Sequence, residues 1–162
     1  MTKKQAAGAT PATVALTRAG VAFVLRTYEH RPGDHGYGEE AAEALGVDPR
    51  RIFKTLVAEV DSELVVAVVP VARQLDLKAL AVAIGGKRAQ LADPAVAARS
   101  SGYVIGGISP VGQRTRLRTV VDDSALTFDT VLVSAGRRGL QVELAPADLV
   151  RVTQALTCPI GH

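Results

Sequence analysis

Two apolar runs, residues 53–60 and 63–70, constrain the fold of this chain most strongly. Both are rich in valine and other apolar residues, and only Asp61 and Ser62 separate them. A two-residue polar break between two such runs is typical of a β-hairpin with a tight turn. An apolar hairpin has to be covered, so the flanking segments must supply its packing partners.

Helices and further strands are predicted on both sides of this hairpin. Thr10 is a good helix cap, Pro11 suits the first turn, and Gly20 ends the helix. The other predicted helices cover residues 39–45, 75–84, 94–99 and 146–156, and the other predicted strands cover residues 21–28, 119–122, 130–134 and 140–144. This order predicts a mixed α/β (α+β) fold, with helices packed on a mixed sheet rather than a doubly wound parallel sheet.

The length of 162 residues favours one domain. We expect a flexible segment at 1–9, a single domain at 10–157, and a C-terminal tail at 158–162 that frays. Cys158 is the only cysteine, and one unpaired thiol indicates a reducing compartment. The sequence has no apolar stretch of signal-peptide or membrane-spanning length, so we expect a soluble, cytoplasmic protein without a membrane partner.

The charge is mildly positive, at +3 with a pI near 9.3, and it permits a polyanionic partner. Aromatic residues make up only 4% and tryptophan is absent, which argues against a base-stacking platform of several aromatic rings. Arg114, Arg116 and Arg118 alternate, so in a strand they would share one face and could contact the phosphates of a polyanionic partner. The alternative is a charged edge strand that deters aggregation. Together with the three arginines, four further cations could form a basic rim that binds phosphates: Lys87, Arg88, Arg137 and Arg138.

Lys54 stands inside the apolar run that begins with Phe53. An ammonium among apolar neighbours is costly unless it meets a partner. It could hold a phosphate or ribose oxygen, or stabilise charge that develops in a reaction. The alternative is a lysine at the end of a strand whose ammonium reaches water.

Residues 106–112 form a loop dense in glycine and proline, with the sequence Gly-Gly-Ile-Ser-Pro-Val-Gly. Its glycines permit close approach to a ligand, and its backbone N–H groups could form an oxyanion hole. The alternative is a plain turn between two elements. Ser109 is a poor candidate nucleophile, because it lies in no Gly-x-Ser-x-Gly motif and no histidine is near it in sequence.

The sequence supplies no convincing metal site or catalytic cysteine. His30, Asp34 and His35 flank one loop, but no further ligands occur at a recognised spacing. Cys158 lies at the terminus, away from any positioned base. We therefore expect no metal and no cofactor.

Short motifs along residues 11–152 resemble the YbaK family of cysteinyl-tRNA(Pro) deacylases, which are relatives of the editing domain in bacterial prolyl-tRNA synthetases. Their order and number make the resemblance specific. The matching segments are residues 27–30, 38–40, 53–56, 74–78, 101–103, 106–110, 112–113, 137–140 and 148–149.

The resemblance implies a compact, partly barrel-like mixed sheet flanked by helices, and hydrolysis of the ester between a mischarged amino acid and the terminal adenosine of tRNA. It implies that Lys54 is the essential lysine. It places a backbone loop at the ester and further side chains around the substrate. The implied loop residues are Gly107, Ile108, Ser109 and Pro110, and the implied substrate-binding residues are Tyr28, Tyr37, Ser134, Arg138 and Asp148.

Some residues depart from the family pattern. Tyr37 stands where phenylalanine is usual, which brings a hydroxyl to the pocket, and Ala135 and Arg137 replace the usual glycine and lysine. Asp148 also has a simpler explanation, because a carboxylate at the start of a helix complements the helix dipole.

The implied mechanism needs no enzymic nucleophile, because the thiol of the substrate cysteine attacks its own carbonyl carbon. The implied partners are the acceptor end of aminoacyl-tRNA and prolyl-tRNA synthetase. Three alternatives remain open: a deacylase for Ala-tRNA(Pro) or another small aminoacyl group, a non-catalytic module that binds tRNA or a synthetase, and a structural or regulatory protein.

Overall fold

The computed structural model describes residues 9–31, 33 and 36–162. Within them the chain forms five α-helices, eight strands and a 3-10 helix at Asp123–Thr127. The helices are α1 (Pro11–Arg18), α2 (Tyr37–Leu45), α3 (Leu77–Ile84), α4 (Pro94–Ser101) and α5 (Pro146–Thr153). The strands are β1 (Phe23–Thr27), β2 (Phe53–Val60), β3 (Glu63–Pro70), β4 (Ala89–Leu91), β5 (Arg118–Asp122), β6 (Val131–Arg137), β7 (Leu140–Leu144) and β8 (Leu156–Cys158). None of the helices in these residues has the length and apolar character needed to cross a bilayer.

The described strands form two sheets. The larger is mixed and has the order β4-β2-β3-β5-β8. Strand β2 is antiparallel to β4 and to β3, whereas β5 is parallel to β3 and to β8. The smaller is antiparallel, with the order β1-β7-β6. A parallel bridge between Ile52 and Leu132 joins them. The expected mixed sheet flanked by helices is confirmed, but the described strands do not close into a barrel.

The central hairpin forms around Asp61 and Ser62, as expected. Val60 pairs with Glu63, and the turn residues Asp61 and Ser62 have φ of 47° and 74°. Two consecutive left-handed residues give the twist that joins antiparallel strands. The Asp61 carboxylate accepts hydrogen bonds from the N–H groups of Lys87 (2.8 Å) and Arg88 (3.0 Å), which anchors the turn to the segment leading into β4.

Strand β3 is buried on both faces. Val66 and Val68 belong to the core cluster that includes residues of β6 and β7. Val65 and Val69 belong to the cluster that includes Leu80 of α3. This two-sided burial explains why the strand is a continuous apolar run instead of an alternating one.

The C-terminal residues do not fray as expected. Strand β8 pairs with β5, and Ile160 beyond it is fully buried. The buried Asp122 carboxylate accepts hydrogen bonds from the N–H groups of Ile160 (3.0 Å) and Gly161 (2.8 Å). The expectation of a frayed tail at 158–162 was therefore wrong, while residues 1–8 of the segment expected to be flexible lie outside the described residues.

Glu143 connects the smaller sheet to the start of β2. Its carboxylate on β7 contacts Arg26 of β1 at 2.6 Å and Arg51 at 2.5 Å, and it accepts a hydrogen bond from the Thr130 hydroxyl at 2.6 Å. The Thr130 hydrogen bond, followed by the two guanidinium groups, holds the pKa of Glu143 below its usual value. These contacts favour the ionised carboxylate over the neutral acid.

We expect Glu143→Gln to lower the free energy of unfolding at pH 7 by about 1–3 kcal/mol, because charge-assisted hydrogen bonds are lost. A lowered folded-state pKa means that this stabilisation is complete above the unfolded-state pKa of roughly 4.3 and is lost as the pH falls through the folded-state pKa. Urea denaturation at several pH values should show the gap between the two proteins narrowing in acid.

A matched control is Glu63→Gln, which removes a pair with Arg118 in which both side chains are about half exposed. We expect a smaller loss there, since solvent screens exposed pairs. If Glu143→Gln lowers the free energy of unfolding by the same amount at pH 7 and in acid, the ionised Glu143 carboxylate does not stabilise the fold as described.

Candidate functional site

A cavity of about 410 Å³ lies between β2, the start of α2, α4 and the loop before β5. Most of its wall is apolar, and a few polar groups converge on it, which is typical of a small-molecule site. Its apolar lining residues are Ile52, Phe53, Leu56, Val57, Leu91, Ala92, Pro94, Ala97, Ile105 and Ile108. The polar ones are Tyr37, Glu39, Lys54, Thr55, Ser134 and Gln141, and three glycines, Gly36, Gly38 and Gly106, complete the wall.

Lys54 supplies a cation to this wall. It is half-buried on β2, where it pairs in register with the fully buried Val69 of β3. Within the described part of the chain, no carboxylate lies within ion-pair distance of its ammonium. The ammonium can therefore pair with an anionic or carbonyl oxygen of a ligand.

The loop at Gly106 and Gly107 packs too tightly for side chains. A β-carbon on Gly106, whose φ is +87°, would lie 2.6 Å from the Tyr37 ring. A β-carbon on Gly107 would lie 2.7 Å from the Arg137 Cα and 2.9 Å from the Arg138 N. The two glycines thus hold the loop between α2 and the turn from β6 to β7, beside the cavity that Lys54 lines.

The amides of this loop are not equivalent. The Gly107 N–H donates to the Val104 carbonyl at 2.9 Å, so it is already engaged. The N–H groups of Gly106 and Ile108, both cavity-lining residues, donate no hydrogen bond to any described residue. They are the amides that could serve as oxyanion donors, a role that the sequence assigned to the loop as a whole.

Tyr37 and Arg138 meet beside the loop. The Arg138 guanidinium carbon lies 4.9 Å from the centre of the Tyr37 ring, and its Nε donates to the Ile105 carbonyl at 2.8 Å. The His30 ring lies on Tyr37 at a centroid distance of 5.7 Å. We call this arrangement of Tyr37 and Arg138 the Tyr37–Arg138 stack.

Gln141 and Thr55 are site residues that the sequence analysis missed. Gln141 on β7 pairs in register with Ser134 on β6, so both side chains share a face and line the cavity. The Gln141 side-chain oxygen and the Thr55 hydroxyl are buried and have no hydrogen-bond partner in the described structure. Since an unpaired buried polar atom costs about 1–3 kcal/mol, a ligand that supplies hydrogen bonds would be favoured here.

A sequence signal for both residues was present. Gln141 is a polar side chain between Leu140 and Val142 in an apolar strand, and Thr55 directly follows Lys54. What the sequence lacked was the meeting of the two sheets, which brings Thr55 of β2 and Gln141 of β7 to one cavity.

Several predicted site residues lie outside the cavity wall. Ser109 is fully buried, its hydroxyl accepts a hydrogen bond from the Val111 N–H at 3.2 Å, and the adjacent Pro110 is also buried. Asp148 lies in the first turn of α5 and pairs with Arg151 at 3.3 Å. These residues do not line the cavity that Lys54 lines.

Tyr28 lines a separate depression together with Glu40 and Glu43. Burial raises the pKa of its phenol, and the Glu40 carboxylate adds to that effect. The Glu40 carboxylate accepts hydrogen bonds from His30 Nδ1 (2.6 Å) and from the Arg31 N–H (3.1 Å). Tyr28 therefore does not line the cavity that Lys54 lines.

The three alternating arginines do not form the expected strand face. Strand β5 begins only at Arg118, and Arg114 and Arg116 precede it in irregular backbone. Arg118 makes two hydrogen bonds to the Glu63 carboxylate, at 2.7 and 2.9 Å. The prediction of a shared strand face was wrong, because residues 114–117 do not have the extended strand backbone that such a face requires.

No described group of histidine, cysteine and carboxylate side chains could hold a metal ion. His30 uses its Nδ1 for Glu40. The other two residues of this candidate metal loop, Asp34 and His35, lie outside the described residues.

Comparison with known proteins gives concordant matches. The family model of the aminoacyl-tRNA editing domain matches residues 34–152. EbsC of Enterococcus faecalis, provisionally named a Cys-tRNA(Pro)/Cys-tRNA(Cys) deacylase, is 40% identical over 121 residues, which cover 74% of each chain. ProXp-y of Escherichia coli K12, named a multifunctional Ser/Thr-tRNA deacylase, is 31% identical over 140 residues, which cover 86% of this chain and 84% of that one.

A solved structure described as a trans-editing enzyme for prolyl-tRNA synthetase, also a provisional description, has a TM-score of 0.81. It is 25% identical in sequence, and the match covers 94% of this chain and 95% of that one.

We expect Gly107→Ala to displace the loop, because its new β-carbon would meet backbone atoms of Arg137 and Arg138 that cannot rotate away. Amide ¹H–¹⁵N spectra should show shifts for residues 104–108 and 136–139. Gly85→Ala is the control for an added methyl group that meets no neighbour, since no described atom beyond its chain neighbours lies within 4 Å of a β-carbon placed on Gly85. Its shifts should stay near the end of α3, and unchanged Arg137 and Arg138 amides in Gly107→Ala would contradict the packing described.

Proposed function

Because the chain belongs to the aminoacyl-tRNA editing domain family, we propose that it is a trans-acting deacylase that hydrolyses mischarged Cys-tRNA(Pro) and also Cys-tRNA(Cys). The observation that carries the proposal is that one cavity is lined by the unpaired ammonium of Lys54, the Gly106 loop and two unpaired polar side-chain atoms. The identity to EbsC supports cysteine as the amino acid.

The ester carbonyl has a natural position in this cavity. Its oxygen gains negative charge as the carbonyl carbon becomes tetrahedral, and Lys54 together with the free N–H groups of Gly106 and Ile108 can stabilise that charge. One oxyanion donor contributes roughly 3–4 kcal/mol to lowering a barrier of this kind. The largely apolar wall strengthens each such interaction, because it excludes water.

The amino acid can be recognised by the neutral polar atoms. Its α-ammonium carries three N–H donors, and Lys54 repels it toward acceptors elsewhere in the wall. The Gln141 oxygen and the Thr55 hydroxyl are such acceptors, and both lack a partner in the described structure. A small side chain then fits the remaining volume of a cavity of about 410 Å³.

The described residues of the cavity wall include no histidine and no cysteine, so they contain no Ser-His or Cys-His pair. We therefore assign the nucleophile to the substrate. The cysteine thiolate attacks its own carbonyl carbon, a C–S bond forms, and the C–O bond to the ribose breaks. The proton that the thiol gives up passes through solvent to the ribose oxygen. Water then adds to the thiolactone carbonyl carbon, which breaks the C–S bond and releases cysteine. The protein orients the reacting groups, which can supply several kcal/mol.

Hydroxyl-bearing amino acids are the second candidate substrates. The Gln141 oxygen and the Thr55 hydroxyl could accept a hydrogen bond from a serine or threonine side chain as well as from an ammonium. The identity to ProXp-y favours this alternative. Ala-tRNA(Pro) is a weaker alternative, because alanine leaves no side-chain donor for these atoms.

The proposed site of action is the cytoplasm, on the acceptor end of free aminoacyl-tRNA. Prolyl-tRNA synthetase is the proposed partner that would supply tRNA selectivity, since the synthetase of Maridesulfovibrio salexigens contains a segment 29% identical to this chain over 140 residues. This match covers 79% of this chain and 23% of the synthetase.

The proposal is tested by incubating the protein with Cys-tRNA(Pro), S-methyl-Cys-tRNA(Pro), Ser-tRNA and Ala-tRNA(Pro). We expect rapid loss of cysteine and little loss of S-methylcysteine, because a methylated sulfur cannot attack. Equal hydrolysis of these two would refute thiol assistance. Faster hydrolysis of Ser-tRNA would favour the second candidate, and tRNA binding without hydrolysis of any ester would favour a non-catalytic module.

We expect Lys54→Ala to reduce kcat/KM by about 10²–10³, the effect of losing one group that stabilises the oxyanion. The thermal midpoint should not fall, since the described structure gives the ammonium no ion pair to lose. Lys78→Ala, an exposed lysine on α3, is the control and should keep full activity. If Lys54→Ala has the same kcat/KM as the unmodified protein, Lys54 does not take part in the reaction.

A further inference from the structure

Tyr37 is held in place at the mouth of the cavity. Gly106 lies directly against its ring, Arg138 covers the ring at 4.9 Å, and His30 packs on it at 5.7 Å. Its side chain nevertheless remains 40% exposed. An aromatic ring fixed by three elements loses little further freedom when a ligand binds beside it.

Arg138 is oriented but has no ionic partner. Its Nε donates to the Ile105 carbonyl, and no carboxylate among the described residues lies within ion-pair distance. Arg138 is exposed to solvent while it makes these two contacts with Tyr37 and Ile105. Planar guanidinium groups stack on nucleobases as well as on aromatic rings.

The mouth of the cavity also exposes apolar surface. Leu91, which lines the cavity, is 56% exposed, and Val104, next to the lining residue Ile105, is 57% exposed. A flat group that reached the stack would therefore cover apolar surface as well as the guanidinium.

We propose that the outer face of Arg138 in the Tyr37–Arg138 stack binds the adenine base of the terminal nucleotide of tRNA. This inference rests on the proposed function. The ribose whose oxygen is esterified carries that adenine, so an ester inside the cavity leaves the base at the cavity mouth. The stack requires no set of several aromatic rings, which suits a chain with 4% aromatic residues.

The assignment differs from simple attraction of a phosphate. A phosphate would be attracted by the positive charge of Arg138, whereas a base would stack on its planar guanidinium group. Arg138→Lys keeps the charge and removes the plane. Arg137→Lys is the matched control, because Arg137 is the neighbouring exposed arginine and its side chain makes no ring contact in the described structure.

The kinetic test compares 3′-O-cysteinyl-adenosine with a cysteinyl ester of 1-deoxyribose, which lacks the base. We expect Arg138→Lys to raise KM for the adenosine ester about tenfold, as stacking on one base is worth roughly 1–3 kcal/mol. Its kcat should change little, and its KM for the ester without a base should not change. Arg137→Lys should match the unmodified protein on both esters. An equal rise in KM for both esters, or equal effects of the two variants, would overturn the proposal.

A binding test separates this inference from the proposed function. Titration with AMP, followed by ¹H–¹⁵N spectra, should shift the amides near Tyr37 and Arg138, and ribose 5-phosphate should not. Arg138→Lys should weaken AMP binding about tenfold and Arg137→Lys should leave it unchanged. If no ester is hydrolysed but AMP binding depends on Arg138, then adenine binding at the Tyr37–Arg138 stack is supported and the proposed function is refuted. If AMP does not bind, or if it binds equally well to Arg138→Lys, adenine binding at the Tyr37–Arg138 stack is refuted.

Discussion

The close contact of two glycines with their neighbours determines where the wall of the cavity stands. Gly106 lies against the Tyr37 ring, and Gly107 lies against the backbone of Arg137, at separations that leave no room for a β-carbon. This packing fixes the loop to α2 on one side and to the turn from β6 to β7 on the other. The strand that carries Lys54 and the strands that carry Ser134 and Gln141 complete the same cavity. Without that contact the cation and the free amides of the loop would have no fixed relation.

The cavity combines unmet electrostatic and hydrogen-bonding requirements. The described structure gives Lys54 no counter-ion, and it gives the Gln141 oxygen and the Thr55 hydroxyl no partner. The two buried atoms of Gln141 and Thr55 cost stability in a protein without a ligand, because polar groups in apolar surroundings need partners. An aminoacyl ester offers a carbonyl oxygen for the first and N–H donors for the other two. The groups that weaken the fold are thus the ones that the proposed substrate would satisfy, as is common at functional sites.

The local sequence was sufficient for much of the fold and for part of the site. The central hairpin, the cap formed by Thr10 and Pro11, and the candidates Lys54 and the glycine loop all follow from neighbouring residues. Strand β8 did not, because its three residues pair with β5 through contacts remote in sequence. The Tyr37–Arg138 stack and the orientation of Gln141 were equally out of reach, since both depend on which elements meet in space. The prediction that Arg114, Arg116 and Arg118 share one strand face was wrong, because strand β5 begins only at Arg118.

The central claim is that the acyl bond lies between Lys54 and the Gly106 loop. A crystal structure with 3′-cysteinylamino-3′-deoxyadenosine, in which a stable amide replaces the ester, tests it most directly. We predict that the amide carbonyl oxygen lies within hydrogen-bond distance of the Lys54 ammonium and of the Gly106 or Ile108 N–H. An analogue bound with its carbonyl away from both groups, or outside this cavity, would contradict the account.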